Sequence, residues 1–175
     1  MKKLIAVLVI FLCVGSALSA IDMSAGGGGL FGLNFMTFTT KFLGVEVSVS
    51  DSYFFFGGWG FFDATYGEVA AEFTYGTNGI GADLGFGVYG KFPIDMGMFV
   101  LYPMAGAELT LLDYTGLWVR AGAGVDYDLS RTMFIRGELL YGIELYNSSD
   151  VEIAGEGWST FQHGPKIRVA VGLRL

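Results

Sequence analysis

Lys166-Ile167-Arg168-Val169-Ala170-Val171-Gly172-Leu173-Arg174-Leu175 alternates without a slip. Ile167, Val169, Val171, Leu173 and Leu175 take one parity, while Lys166, Arg168, Ala170, Gly172 and Arg174 take the other. Successive side chains of a strand point to opposite faces, so a period of two means a strand with one greasy face and one polar face. The same pattern recurs upstream. Met133, Ile135, Leu139, Tyr141, Ile143 and Leu145 oppose Arg136, Glu138, Gly142 and Glu144, and Leu117, Val119, Ala121, Ala123 and Val125 oppose Arg120, Gly122, Gly124 and Asp126. Phe99, Leu101, Ala105, Ala107, Leu109 and Leu111 oppose Gly106, Glu108 and Thr110. Ile80, Ala82, Leu84, Phe86 and Val88 oppose Gly81, Asp83, Gly85 and Gly87, and Val69, Ala71, Phe73 and Tyr75 oppose Glu68, Glu72 and Thr74. Two further strands, near 28–38 and 52–62, are aromatic on both faces; Val45, Val47 and Val49 alternate with Glu46 and Ser48, so the second can begin early.

Composition narrows what such strands build. Only 15% of the residues are charged and 53% are hydrophobic, against about 25% charged in an ordinary soluble domain. The 28 glycines argue against a helical protein, because glycine interrupts helices. Beyond the N-terminus no stretch of eighteen apolar residues occurs, so the hydrophobicity lies in alternation rather than in membrane-spanning helices. The first twenty residues stand apart: a basic Lys2-Lys3, an apolar run from Leu4 to Val14, and small residues from Gly15 to Ala20. They predict a signal peptide over 1–20, cut after Ala20 or, as second choice, Ala17, with the mature protein over 21–175. Its loss removes Lys2, Lys3 and no acid, so the mature chain is two charges more acidic than the −7 of the whole sequence. Such a chain is a poor nucleic-acid binder. The single cysteine, Cys13, leaves with the signal peptide, which excludes disulfides and cysteine-based zinc sites from the mature protein.

Eight alternating strands of about 9 to 11 residues are the mark of a small transmembrane β-barrel. A soluble lipocalin-type barrel would turn its apolar face inward and its charges outward. The neighbours of the charges separate the two. The lumen of an eight-stranded barrel is only wide enough to be filled by side chains, and Gly81, Gly85, Gly87, Gly106, Gly122, Gly124, Gly142 and Gly172 share the parity of the charges. Long charged side chains alternating with glycine suit a narrow interior. Glu68, Glu72, Glu108, Arg120, Arg136, Glu138 and Arg168 are therefore predicted to form a charge network in the lumen, and Tyr53, Trp59, Phe61, Tyr66, Tyr75, Phe92, Tyr102, Tyr127 and Tyr146 to form interfacial girdles.

Turn chemistry sets registers. Asn78-Gly79 is a strong two-residue hairpin signal; it predicts Glu72 opposite Gly85 and Thr74 opposite Asp83. A three-residue loop of Asp113-Tyr114-Thr115 sets Glu108 opposite Arg120, and a bulge at Gly116 would make the two diagonal neighbours. Either way they are expected to pair inside.

The mature chain as a whole resembles the small eight-stranded outer-membrane proteins of diderm bacteria, of the outer membrane protein A, X and W types. The resemblance is a pattern of strands and turns, with local echoes in Gly60-Phe61-Phe62-Asp63-Ala64-Thr65-Tyr66 and Tyr102-Pro103-Met104-Ala105-Gly106. Such proteins usually end in an aromatic residue read by the assembly machinery, where this chain has Leu175. The resemblance implies a monomer in the outer membrane, with both termini in the periplasm, and contacts with outer-membrane lipid, lipopolysaccharide and that machinery. Residues 77–79 and 113–116 are then short outer turns, and 39–51 and 147–164 long outer loops. Trp158, Phe161 and His163 are candidate outer-loop contacts for a surface ligand.

Chemistry is sparse. Gly85-Phe86-Gly87-Val88-Tyr89-Gly90 matches a dinucleotide-binding glycine pattern but falls within a strand, where that pattern has no mechanism. A lipid A deacylase would need a serine, a histidine and a carboxylate in contact; Ser159, His163 and Glu156 are present, without the serine two residues after the histidine that the family's motif carries. No enzyme activity, cofactor or metal is expected. Two functions remain: a structural or surface-interaction, adhesin-like barrel with a charge-plugged lumen, or a narrow channel for small, hydrophobic molecules, as the outer membrane protein W resemblance would imply.

Overall fold

The computed structural model describes residues 22–79, 81–112, 115–153 and 156–175. The expected signal peptide over 1–20, Ile80 and the Asp113-Tyr114 part of an expected turn lie outside the described residues. The chain is all-β. Its strands are β1 (Ser24–Phe42), β2 (Val45–Ala64), β3 (Gly67–Gly76), β4 (Gly81–Lys91), β5 (Ile94–Asp95), β6 (Phe99–Leu112), β7 (Gly116–Asp128), β8 (Met133–Asn147), β9 (Val151–Ile153) and β10 (Glu156–Arg174). Strands β1, β2, β3, β4, β6, β7, β8 and β10 pair antiparallel in that order, and β10 returns to pair with β1. This is an up-and-down barrel of eight strands, as the alternation predicts. The short β5 pairs with β6 at the end that carries the termini, and β9 pairs with β10 at the other.

Alternation sorts the side chains. Phe31, Phe56, Phe73, Phe86, Val119, Leu139, Ile143, Val169 and Val171 are exposed on the outside, while Glu68, Glu72, Glu108, Arg120, Arg136, Glu138, Lys166 and Arg168 are buried inside. A water-facing barrel requires the opposite arrangement. An apolar outer belt around a charged interior is the arrangement that lipid imposes, and the chain is a transmembrane β-barrel.

Three expectations are corrected. First, 39–51 is not a loop: β1 and β2 run on in unbroken register to Phe42 opposite Val45 and turn through Leu43-Gly44, with φ of 50° and 77°. Residues 147–164 are also mostly strand, because β10 pairs with β1 as far as Gly157 opposite Lys41. Barrel closure makes these segments neighbours, so each supplies the backbone partners that keep the other extended. Strands β1 and β10 are accordingly 19 residues long and β2 is 20.

Second, the β6–β7 register differs from both versions expected. Glu108 stands opposite Trp118, and Arg120 opposite Gly106. Leu111 and Leu112 remain paired with Leu84 and Asp83 of β4, so β6 continues along β4 after its ladder with β7 has ended. The slip relative to the opposed arrangement is two residues, which preserves the faces. By contrast, the Asn78-Gly79 hairpin has the register expected, with Glu72 opposite Gly85, Thr74 opposite Asp83, and positive φ at both turn residues.

Third, Tyr53, Trp59, Phe61 and Tyr102 are buried inside the barrel, whereas Tyr66, Tyr75, Tyr127, Tyr146 and Phe92 are exposed. The interior glycines mainly make room for rings rather than for charges. A Cβ at Gly124 would lie 2.4 Å from the Tyr102 ring, and one at Gly172 would lie 2.2 Å from the Phe134 ring. Predicted charges occupy that space at Gly142, where Arg120 lies, and border it at Gly85, which sits against Glu72 and Glu108.

Candidate functional site

Two features stand out, one inside the barrel and one above it. The lumen is crossed by tiers of ion pairs. In the tier nearer the termini, Arg136 of β8 reaches Asp63 and Asp126 at 2.6 Å and Glu68 at 2.9 Å. Arg168 of β10 holds Glu138 at 2.5 Å, Glu68 at 3.0 Å and Glu72 at 3.1 Å. Lys91 bonds to Asp63, and the Tyr102 hydroxyl donates to Glu138 at 2.9 Å. In the next tier Lys166 bridges Glu72 and Glu108 at 2.6 Å each. The Arg120 Nε donates to Glu108 at 3.0 Å and the Tyr89 hydroxyl donates to the same carboxylate at 2.8 Å. Glu108 and Arg120 meet diagonally across β6 and β7, a reach that long side chains have in an antiparallel pair.

Rings complete the filling. Arg136 lies 4.1 Å from the Phe61 ring centre, Arg168 4.3 Å from that of Trp59, and Arg120 4.6 Å from that of Trp118. Such stacking favours guanidinium over a strongly hydrated ammonium. Lys166 and Arg168 have 0% exposure. A buried ion left without its partner is costly, so these groups hold one another in place. Above the Lys166 tier there is a cavity of about 30 Å³ lined by Asn34, Tyr53, Asp83, Thr110, Trp118 and Arg120, among others. That is room for only a few water molecules.

All seven charges predicted for the lumen are brought together here. Asp63, Lys91, Asp126 and Lys166 also belong to the network and were not predicted. Parity alone identifies three of them, since Lys166 shares the face of Arg168, Asp126 that of Gly124, and Lys91 that of Gly87. Asp63 follows Phe61 on β2, whose inner face cannot be chosen from a strand that is aromatic on both sides.

Trp158, Phe161 and His163 lie on strand β10 rather than in a loop, and they do not share a face. The His163 Nδ1 is 2.5 Å from the Tyr141 hydroxyl, and its ring stacks on Phe35 at 5.5 Å and sits 5.6 Å from Phe161, all on the outer wall. Trp158 has the other parity, stands opposite Thr40, and donates its Nε1 to the Ser149 carbonyl at 2.7 Å. Ser159 is four residues from His163 on the same strand face, roughly 13 Å away at strand rise, so the two are not in hydrogen-bond contact. Among the described residues, no group of three or more His, Cys, Asp or Glu side chains is placed to hold a metal ion.

The second feature is the sheet that continues past the barrel. β2 pairs with β3 only from Phe55 onward, so its first part, with the end of β1 and the start of β10, stands above the wall. Its polarity is reversed. Phe38, Phe42, Val45, Val47 and Val49 continue the lumen parity and are exposed, while Thr37, Thr39, Lys41, Glu46, Ser48 and Ser50 continue the lipid parity. On this polar face Thr37 bonds to Ser50 at 3.2 Å, Thr39 bonds to Ser48 at 3.0 Å, and Lys41 pairs with Glu46 at 3.2 Å.

No family model matches the chain, and no curated protein matches it by sequence. Solved structures do match. Neisserial surface protein A has a TM-score of 0.48 at 10% identity, over 86% of this chain and 99% of that one. The N-terminal β-barrel domain of OprF from Pseudomonas aeruginosa has a TM-score of 0.39 at 14% identity, over the same shares. The translocator domain of the autotransporter NalP from Neisseria meningitidis has a TM-score of 0.32 at 13% identity, over 99% of this chain and 96% of that one.

Proposed function

We propose that the chain is an outer-membrane barrel with a closed lumen, acting as a structural and surface-interaction protein through the sheet that stands above the wall. The observation that carries this reading is the ion-pair plug: carboxylates and cations from β2, β3, β4, β6, β7, β8 and β10 fill the lumen with fully or nearly fully buried side chains. A conduit needs an open, hydrated path, and the small cavity near Trp118 is blocked below by the Lys166 tier. Within its own membrane the protein is a monomer in contact with outer-membrane lipid and lipopolysaccharide, with the termini at the periplasmic side. Single-channel recording in planar bilayers tests the closed lumen. No unitary openings are expected; stable openings of the purified, folded protein would replace this reading with the narrow channel.

A further inference from the structure

The part of β2 that lacks β3 beside it is an uncovered sheet edge. The backbone N–H and C=O of Phe54 both bond to Thr77, and the Ser52 carbonyl accepts from the Asn78 side chain, so even-numbered residues of β2 turn their backbone groups toward the β3 side. In an antiparallel ladder this direction alternates strictly. Glu46, Ser48 and Ser50 therefore present N–H and C=O groups to a side where, among the described residues, no strand lies. Natural proteins guard long edges with proline, charged side chains, lysine above all, or a bulge, and the charge beside the free backbone groups here, Glu46, is tied to Lys41 of its own hairpin. Residues 45–51, Val-Glu-Val-Ser-Val-Ser-Asp, contain no proline or lysine, and their register with β1 is unbroken.

The segment is also complementary to itself. Antiparallel pairing centred on Ser48 places Ser48 opposite Ser48 of a second copy and Glu46 opposite Ser50. Both are pairs whose backbone groups point at each other. Val47 then meets Val49 in the intervening close pair, where side chains touch most directly. No like charges face each other in this register, and Glu46 is already paired with Lys41 within its own hairpin. The valine rows of the two copies join on one side of the combined sheet, extending the apolar face formed with Phe38 and Phe42.

Symmetry decides where the second copy sits. Two antiparallel strands that extend one sheet are related by a two-fold axis perpendicular to that sheet. The sheet here continues a barrel wall that crosses the membrane, so the axis lies parallel to the membrane plane. The second copy is therefore inverted, which neighbours in one bilayer cannot be. We propose that residues 45–51 of β2 pair antiparallel with the same segment of a second copy anchored in a facing membrane, joining two surfaces. This rests on the surface-interaction reading above and names the partner for it.

Vesicles bearing the folded protein and labelled with one dye, mixed with protein-free vesicles of the same lipid carrying another dye, test the pairing. Clumps containing only protein-bearing vesicles are expected. Ser48→Pro removes an N–H from the free edge without touching the backbone bonds to β1, losing there only the hydroxyl contact with Thr39 that Ser48→Ala loses as well, and should abolish clumping while the barrel still shows its heat-modifiable migration on a gel. Ser48→Ala, which keeps the backbone donor, should clump like the parent. Vesicles carrying the parent protein should not clump with vesicles carrying Ser48→Pro alone. Absence of clumping by the parent, clumping unaffected by Ser48→Pro, or recruitment of Ser48→Pro or protein-free vesicles would each overturn the proposal. Conductance read on the same preparations separates the two claims: vesicles that neither clump nor conduct overturn only the pairing, whereas conducting vesicles overturn the closed barrel.

Discussion

The same two strands, β1 and β2, obey opposite rules at their two ends. Within the wall, Phe31, Phe54, Phe56 and Phe62 face outward and the polar residues Asn34 and Asp63 face inward. Above it, Phe38, Phe42, Val45, Val47 and Val49 take the inward side and Thr37, Thr39, Ser48 and Ser50 take the outward side. Exposure does not distinguish the regions, since Val169 in the wall is 49% exposed and Val47 in the hairpin 56%. What differs is the surrounding medium. Lipid demands apolar atoms on the outside of the wall, whereas the hairpin has left that demand behind, and its apolar side looks across the mouth of the barrel. The point of reversal, around Phe35 and Ser52, marks where the chain leaves the membrane.

Substitutions on the two sides of that point should behave differently. The largest effect belongs to the wall's interior. Arg168→Ala leaves Glu68, Glu72 and Glu138 short of a partner and is expected to cost about 3 to 5 kcal/mol or more, read by urea unfolding in lipid vesicles; a loss below about 1 kcal/mol would mean that the plug is not a network at all. Next comes Val169→Lys, a charge on the lipid face midway along the wall, expected to cost about 2 to 4 kcal/mol. Gly124→Ala drives a methyl into the Tyr102 ring, and overpacking of that kind costs roughly 1 to 3 kcal/mol. Glu108→Ala combined with Arg120→Ala should be less damaging than the sum of the single changes, with a coupling of about 0.5 to 3 kcal/mol; strict additivity would break the pair. The smallest effect is that of Val47→Lys, chemically identical to the wall change but made in the hairpin, expected within about 0.5 kcal/mol of the parent. Equal losses from the two Val→Lys variants would show that the hairpin too is immersed in lipid.

What was legible in the sequence was parity, and what was not was position along a strand. Period two survives any slip of two residues, so Glu108, Arg120 and Arg136 could be placed inside without knowing their registers. The β6–β7 register itself depended on Leu111 and Leu112 staying with β4, a preference set by a third strand and invisible in the hairpin alone. Residues 39–51 look like a loop because serine and threonine fill the parity that carries apolar residues in the wall; the Val45, Val47, Val49 alternation was visible, but not that its sense was inverted. Tyr102 shows the limit from the other direction. An aromatic near a strand end fits a girdle or a lumen equally well, and only its parity, opposite to Leu101, places it inside, against Glu138.

The two innermost cations on β10 have a kinetic meaning as well as an energetic one. Lys166 finds Glu72 across 94 residues of chain and Arg168 finds Glu68 across 100; Glu68 also meets Arg136 of β8, but Glu72 draws both of its cations from the last strand and waits for it before it is neutralised. Contacts so remote in sequence form late and slowly. A barrel missing β10 would have both an open seam and unpaired charge inside it, and each defect is removed by the arrival of the same strand. Closing the wall and locking the plug are therefore one cooperative event, and unfolding should begin where folding ends, at the seam between β1 and β10.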